Sequence, residues 1–374
     1  MKTFKEEFAA IKAEIPNSRV YTDLYRVKSM FSGRPLVLYG TGRLGGAILD
    51  IYRDGGITVS KFCDRKAPGT FEGIEIIAPD TLREDYPDAV VVVCSITYKD
   101  EICDTLWKFG FSQEQIICFQ PESLYFLSLR EFEKHLAGYE WAYNFFEDER
   151  SRQLVLDRIR LVLCDRTLVP NTDSDCYYED SFIALGDNEI FVDGGAYTGD
   201  SAEQFLNKIG NTGGHVYSFE PDGENFNKAV SRLSANPNVT IAQKGLWSSE
   251  TELIFTQQTA KNKAGSSFVF NPGGTAEHRV PVISLDRYFA GKAVNELPTF
   301  IKMDIEGAEK EALIGAAEII KRRKPKLAIC AYHKAEDIYE LPRAILGIRS
   351  DYRFALRQHG HGCFDTVLYA AQGV

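Results

Sequence analysis

Ile190-Phe-Val-Asp-Gly-Gly-Ala-Tyr-Thr-Gly-Asp200 decides how the chain is read. An apolar run gives a buried strand that ends in Asp193. Gly194, Gly195 and Ala196 then let the backbone turn tightly beside a ligand, Tyr197 and Thr198 continue the turn, and Gly199 opens the next helix. Twenty-seven residues beyond Asp193, Val216-Tyr-Ser-Phe-Glu-Pro221 puts Glu220 at the carboxyl end of a second strand. A carboxylate there accepts hydrogen bonds from both hydroxyls of a ribose. Glycine-rich turns occur in any doubly wound nucleotide site. This one departs from GxGxxG by carrying an acid, and a negative side chain suits a sulfonium donor, S-adenosylmethionine, better than a pyrophosphate it would repel.

Outward from this turn the sequence alternates strands and helices. Candidate strands are Glu189–Val192, His215–Phe219, Val239–Gln243, Thr299–Met303, Lys326–Ala331, Tyr352–Arg357 and Asp365–Ala370. The last two are separated only by Gln358–Phe364, too short for a parallel crossover, so they pair antiparallel. Glu252–Thr256, Ser267–Phe270 and Arg279–Val282 read as extra strands of an inserted meander.

From about Asp175 onward the chain resembles the FkbM family of S-adenosylmethionine-dependent methyltransferases. The motifs that carry the resemblance are DGGAYTGD, FEP, Lys244-Gly-Leu-Trp247, Ile301-Lys-Met-Asp-Ile-Glu-Gly-Ala-Glu309 and Ala331-Tyr-His-Lys334. The resemblance implies a class I methyltransferase fold with an antiparallel last strand, and methyl transfer to a hydroxyl, commonly on a sugar or polyketide-type product. It implies that the Asp193–Gly199 turn holds the methionine part of the cofactor and Glu220 its ribose. Asp222 and Gly245, Leu246 and Trp247 would lie by the adenosine. Asp304, Glu306 and His333 would face the methyl group and acceptor. Methyl transfer is an in-line displacement that needs alignment and a proton acceptor. An imidazole titrating near pH 6.5 makes His333 the candidate base, with Asp304 orienting it or binding the acceptor; the alternative is that His333 only hydrogen-bonds a neighbouring loop. Lys302 is expected to pair with Glu306 or Glu309. No metal is expected, because the spacing offers no recognised ligand cluster.

Residues 34–119 form a separate alternating block. Val37-Leu-Tyr-Gly-Thr-Gly-Arg-Leu-Gly45 places Gly40, Gly42 and Gly45 in a true GxGxxG between strand and helix, and Asp64 ends the next strand. This context fits a nucleotide site and resembles the nucleotide-sugar-binding domain in front of some sugar acyltransferases. Equally, the glycines serve only to pack helix on strand.

The fold class expected is therefore α/β: two doubly wound Rossmann-like domains, 1–120 and 186–374, joined by a helical connector, 121–185. The connector has apolar residues at helical spacing, densest over Leu154–Leu163, and a polar turn at Pro170–Asp175. The net charge of −10 over 374 residues, most of it in the middle stretch, disfavours a nucleic-acid partner. The eight cysteines show no CxxC pair and read as reduced thiols of a cytoplasmic protein. The first residues lack the apolar core of a signal peptide, and no apolar run is long enough to span a membrane. The leading function is methylation of a small acceptor, a saccharide or nucleotide sugar. An NAD(P)-dependent oxidoreductase using the Gly40–Gly45 turn is the alternative, and a non-catalytic binding protein a third.

Overall fold

The computed structural model describes residues 2–18, 27–29, 33–65, 69–95, 98–118, 128–164, 176–178, 182–210, 213–256, 277–360 and 364–372. The chain divides into two units: Met1–Glu140 with Leu156–Leu168, and Trp141–Val155 with Val169–Val374. The stretch expected as a connector is thus shared between the units. Its described helices are Leu129–Phe132, Leu136–Phe145 and Glu149–Cys164. The turn at Pro170–Asp175 and the strand at Ser267–Phe270 lie outside the described residues.

In the first unit, Leu36–Tyr39 (β1) and Val90–Val93 (β5) are fully buried apolar strands. Such continuous hydrophobic runs belong to parallel sheets covered on both faces. With Lys61–Cys63 (β2), Gly69–Phe71 (β3), Ile74–Ile77 (β4) and Ile116–Cys118 (β6) they form a six-stranded sheet, ordered β3-β4-β2-β1-β5-β6. Every pairing is parallel except the β3–β4 hairpin. Sequence reasoning missed that hairpin because its strands are short and half exposed. The signal was Glu72-Gly73, both at positive φ, as two-residue hairpin turns require.

The second unit is built on seven strands: Ile190–Gly194 (β7), His215–Phe219 (β8), Val239–Ala242 (β9), Phe300–Met303 (β13), Lys326–Cys330 (β14), Arg353–Gln358 (β15) and Thr366–Ala371 (β16). Their order is β15-β16-β14-β13-β7-β8-β9. β16 runs antiparallel to both its neighbours, and the other pairings are parallel. The hairpin expected from loop length is therefore present, with the final strand inserted between β14 and β15. Gly245–Leu246 (β10), Thr251–Thr256 (β11) and Glu277–Ile283 (β12) make a separate three-stranded sheet. The core beneath the big sheet is aromatic: Phe191 stacks between Phe205 and Phe300, with centroids 4.6 and 4.8 Å away. This packing fixes helix Asp200–Ile209 against the strand that delivers the central turn.

Candidate active site

β7, β8, β13 and β14 are adjacent and parallel, so their carboxyl ends meet at one edge, where α/β folds place their ligands. Asp193 and Gly194 end β7, Glu220 follows β8, Asp304–Glu306 follow β13 and His333 follows β14. The backbones of the turn and of the acidic motif touch. The Asp304 amide donates to the Gly194 carbonyl at 3.1 Å, and a Cβ on Gly195, at φ +73°, would lie 1.8 Å from the Asp304 carbonyl oxygen. Only glycine fits there.

Asp193 is fully buried. Its register partner across β7 and β13 is Lys302, whose Nζ lies 3.0 Å from one carboxylate oxygen and donates to the Gly195 carbonyl at 2.8 Å. Ser201 Oγ donates to the other oxygen at 2.8 Å. Two expectations are corrected here. Lys302 pairs with Asp193, not with Glu306 or Glu309, because β-register puts them opposite one another. The charge of Asp193 is spent on that pair, so the acid braces the turn and does not present a free negative field to a sulfonium. Burial penalises the Lys302 ammonium, but Asp193 first and then Asp304 more than compensate and raise its pKa.

Glu220 is buried, and its oxygens accept from the Tyr197 amide at 2.8 Å and the Asp222 amide at 2.9 Å. Burial pushes its pKa up to about 7 despite these two bonds. Asp222 caps helix Gly223–Leu233, accepting from the Asn225 amide at 2.9 Å. Ala196 is fully buried and Tyr197, at φ +47°, is exposed. Gly199 adopts φ +84° ahead of helix Asp200–Ile209, whose first turn has no side-chain cap. Gly245 and Leu246 form β10, and Trp247, half buried, hydrogen-bonds through its amide to Ile283. Leu246 closes on Gly194, where a Cβ would meet its Cδ1 at 2.8 Å.

Asp304 is held by two tyrosines that sequence reasoning did not single out. Tyr177 donates to Oδ2 and Tyr332 to Oδ1, each at 2.9 Å. Burial works to raise the Asp304 pKa, but Lys302, His333 and the two hydroxyls outweigh it and keep it low. His333 is buried among carboxylates: Nδ1 is 3.0 Å from Glu309 Oε1, and Nε2 is 3.4 Å from Asp304 Oδ1 and 3.6 Å from Glu306 Oε2. Burial disfavours the imidazolium, yet Glu309, Asp304 and Glu306 overcome it and raise the pKa to about 9. The surrounding carboxylates thus favour the imidazolium over the neutral imidazole that a base requires. Glu306 sits at positive φ (+56°), half exposed, and burial raises its pKa to about 7. Glu309, which sequence reasoning treated only as a partner for Lys302, is 1% exposed and accepts from the Ile305 amide at 2.9 Å. Spacing along the chain offers no recognised cluster, but the fold gathers one donor atom from each of Asp304, Glu309 and His333 within 4.8 Å of the others.

In the first unit, the turn closes on itself. The Gly40 amide donates to Cys63 at 2.8 Å, and Asp64 Oδ2 accepts from the Thr41 amide and hydroxyl at 2.7 and 2.6 Å. A Cβ on Gly45 would lie 2.1 Å from the Gly40 carbonyl oxygen, whereas one on Gly42 would meet nothing within 4 Å. Gly40 and Gly45 thus have packing reasons to be glycine, and Gly42 has none.

Comparison with known proteins locates the chemistry. Residues 193–355 match the Methyltransferase FkbM domain. Among solved structures, the methyltransferase FkbM from Methylobacillus flagellatus KT aligns over 98% of this chain and 98% of its own, with 22% identity and a TM-score of 0.58, which shows a shared fold. A putative rRNA-methylase from Clostridium thermocellum aligns over 52% of this chain and 93% of its own, at 10% identity and a TM-score of 0.33. Aeropyrum pernix fibrillarin, in complex with natively bound S-adenosyl-L-methionine, aligns over 51% of this chain and 70% of its own, at 10% identity and a TM-score of 0.32. No curated protein matches. The stretch that matches the family, residues 193–355, lies within the second unit and holds the turn, the acidic motif and His333. Among the described residues, no helix is long and apolar enough to cross a membrane.

Proposed function

We propose that the second unit methylates a hydroxyl of a small acceptor, a saccharide or nucleotide-linked sugar, with the Asp193–Gly199 turn and Glu220 holding the methyl donor. The observation that carries this reading is the backbone contact of Gly195 with Asp304, which joins the donor turn to the acidic motif. The donor set suits the cofactor. Glu220 is a buried acceptor for a ribose diol, the uncapped amides that begin helix Asp200–Ile209 suit a carboxylate, and Leu246 and Trp247 offer apolar surface for adenine. When bound, S-adenosylmethionine supplies an activated methyl group on a positively charged sulfur.

The chain's own residues then align the acceptor and manage its proton. Asp304, fixed by Tyr177 and Tyr332, is placed to accept a hydrogen bond from an acceptor hydroxyl without moving. Glu306, half exposed beside it, takes the role of proton acceptor in place of His333, whose surrounding carboxylates favour the imidazolium. His333 holds Asp304 and Glu306 together. The oxidoreductase alternative is not favoured, because the family match falls on residues 193–355 and leaves the Gly40–Gly45 turn outside it. We take residues 1–120 to be a nucleotide-binding domain with its own glycine turn, 121–185 a connector and 186–374 the catalytic domain.

The test is to incubate the full chain with methyl-labelled S-adenosylmethionine and a panel of free and nucleotide-linked sugars. Label on a sugar oxygen supports the reading. Cofactor binding with label on nitrogen or carbon acceptors only, or on none of the panel, overturns the assignment to hydroxyls.

A further inference from the structure

Three carboxylates, Asp304, Glu306 and Glu309, converge on one imidazole. A fourth acid, Asp337, is buried beside them and accepts from the Lys334 amide at 2.6 Å. The nearby ammonium of Lys302 is committed to Asp193 and Gly195.

The donor atoms are also oriented for something other than each other. Glu309 Oε2 is buried and makes no hydrogen bond, and neither ring nitrogen of His333 completes one, although carboxylate oxygens lie 3.0 to 3.6 Å away. His333 and Glu309 are 8% and 1% exposed, so water cannot reach them freely. Buried polar atoms left without partners call for an occupant. Charge-assisted N–H···O bonds run about 2.7–2.9 Å, shorter than the 3.4 Å from Nε2 to Asp304. One ligand atom from each of Asp304, Glu309 and His333 lies within 4.8 Å of the others, and small side-chain rotations would bring them to the roughly 3 Å that separates cis donors about 2.1 Å from an octahedral cation.

We propose that Asp304, Glu309 and His333 form a divalent-cation site, with Glu306 at its half-exposed edge as the route of entry. Two carboxylates and one imidazole make a mixed oxygen and nitrogen set suited to Mn²⁺ or Mg²⁺ with remaining positions filled by water. The cation takes the place of the imidazolium proton. If the methyltransferase reading holds, an acceptor oxygen replaces one of those waters, and coordination both positions it and lowers its hold on its proton.

The test titrates MnCl₂ into the metal-free full chain and counts free Mn²⁺ by electron paramagnetic resonance. One saturable site per chain is expected, weakened at least tenfold by Asp304→Asn and by Glu309→Gln and displaced by excess Mg²⁺. Because a buried variant can fail to fold, the unsubstituted chain provides the second readout. Among its six histidines, substoichiometric Mn²⁺ should broaden the ring resonances of His333 first. No saturable binding, or broadening that spares His333, overturns the site. The assay contains neither donor nor acceptor, so an absence of methyl transfer leaves this result untouched, and loss of the cation site leaves the sugar assay to be judged separately.

Discussion

The two glycine-rich turns of this chain occupy the same place in their sheets and do different things. Each follows the first strand of its sheet in chain order, β1 or β7, and each is gripped by a carboxylate that follows the neighbouring strand. Asp64 accepts from the Thr41 amide at 2.7 Å, and Glu220 from the Tyr197 amide at 2.8 Å. The contrast lies on the other flank. Beside β1, strand β5 ends in Cys94, whose carbonyl abuts Gly40. Beside β7, strand β13 ends in Lys302 and Met303 and runs into Asp304, supplying a buried counter-ion and then the acidic motif. A glycine turn is a backbone device. The strand next to it decides whether chemistry gathers there.

The sharpest way to break this comparison is to substitute one glycine in each turn. Gly195→Ala drives a Cβ onto the Asp304 carbonyl at a positive φ, so we expect a loss on the order of 3 kcal/mol or more. Gly42→Ala faces open space at φ −81°, and its effect should stay within about 0.5 kcal/mol. Urea unfolding of both variants checks the pair, and similar losses would contradict the close approach of Gly195 to Asp304. Next in size, Lys302→Met leaves Asp193 buried without its partner and should cost about 3–5 kcal/mol. The double variant Asp193→Asn with Lys302→Met should recover part of this, because the orphaned charge is gone.

Smaller effects sharpen the roles of the gripping carboxylates. Asp64→Asn weakens two hydrogen bonds of the first turn and should cost about 1 kcal/mol of stability, with no change in affinity for S-adenosylmethionine. Glu220 has its pKa raised to about 7 by burial. A ribose diol needs the ionised acceptor, so below pH 7 a proton must leave before the cofactor binds. Affinity should therefore rise with pH, by about tenfold per unit below the pKa, and level off above it. Calorimetry between pH 6 and 8.5 checks this, and a flat profile would separate Glu220 from the ribose.

Much of the fold was legible because both sheets rest on buried apolar runs punctuated by glycine. The antiparallel end was readable from the seven residues between Arg357 and Asp365. The β3–β4 hairpin was not, since Gly69–Phe71 and Ile74–Ile77 lack a sustained alternation. At the site, DGGAYTGD, Glu220 and KMDIEGAE marked the right strand ends, because chain chemistry there is local. What the residues do was less legible. Charge compensation depends on register: Lys302 faces Asp193 only once β7 and β13 pair. The state of His333 depends on three acids gathered from a loop and a helix start, and spacing along the chain gives no sum of such fields. Tyr177, 127 residues from Asp304, left no signal at all.

The central claim is that the methyl donor binds at the second turn and not the first. Calorimetric titration of S-adenosylmethionine into the full chain and into its Glu220→Gln and Asp64→Asn variants tests it directly. We expect one site per chain, weakened at least tenfold by Glu220→Gln and unaltered by Asp64→Asn. Affinity that survives Glu220→Gln and falls with Asp64→Asn would contradict the account.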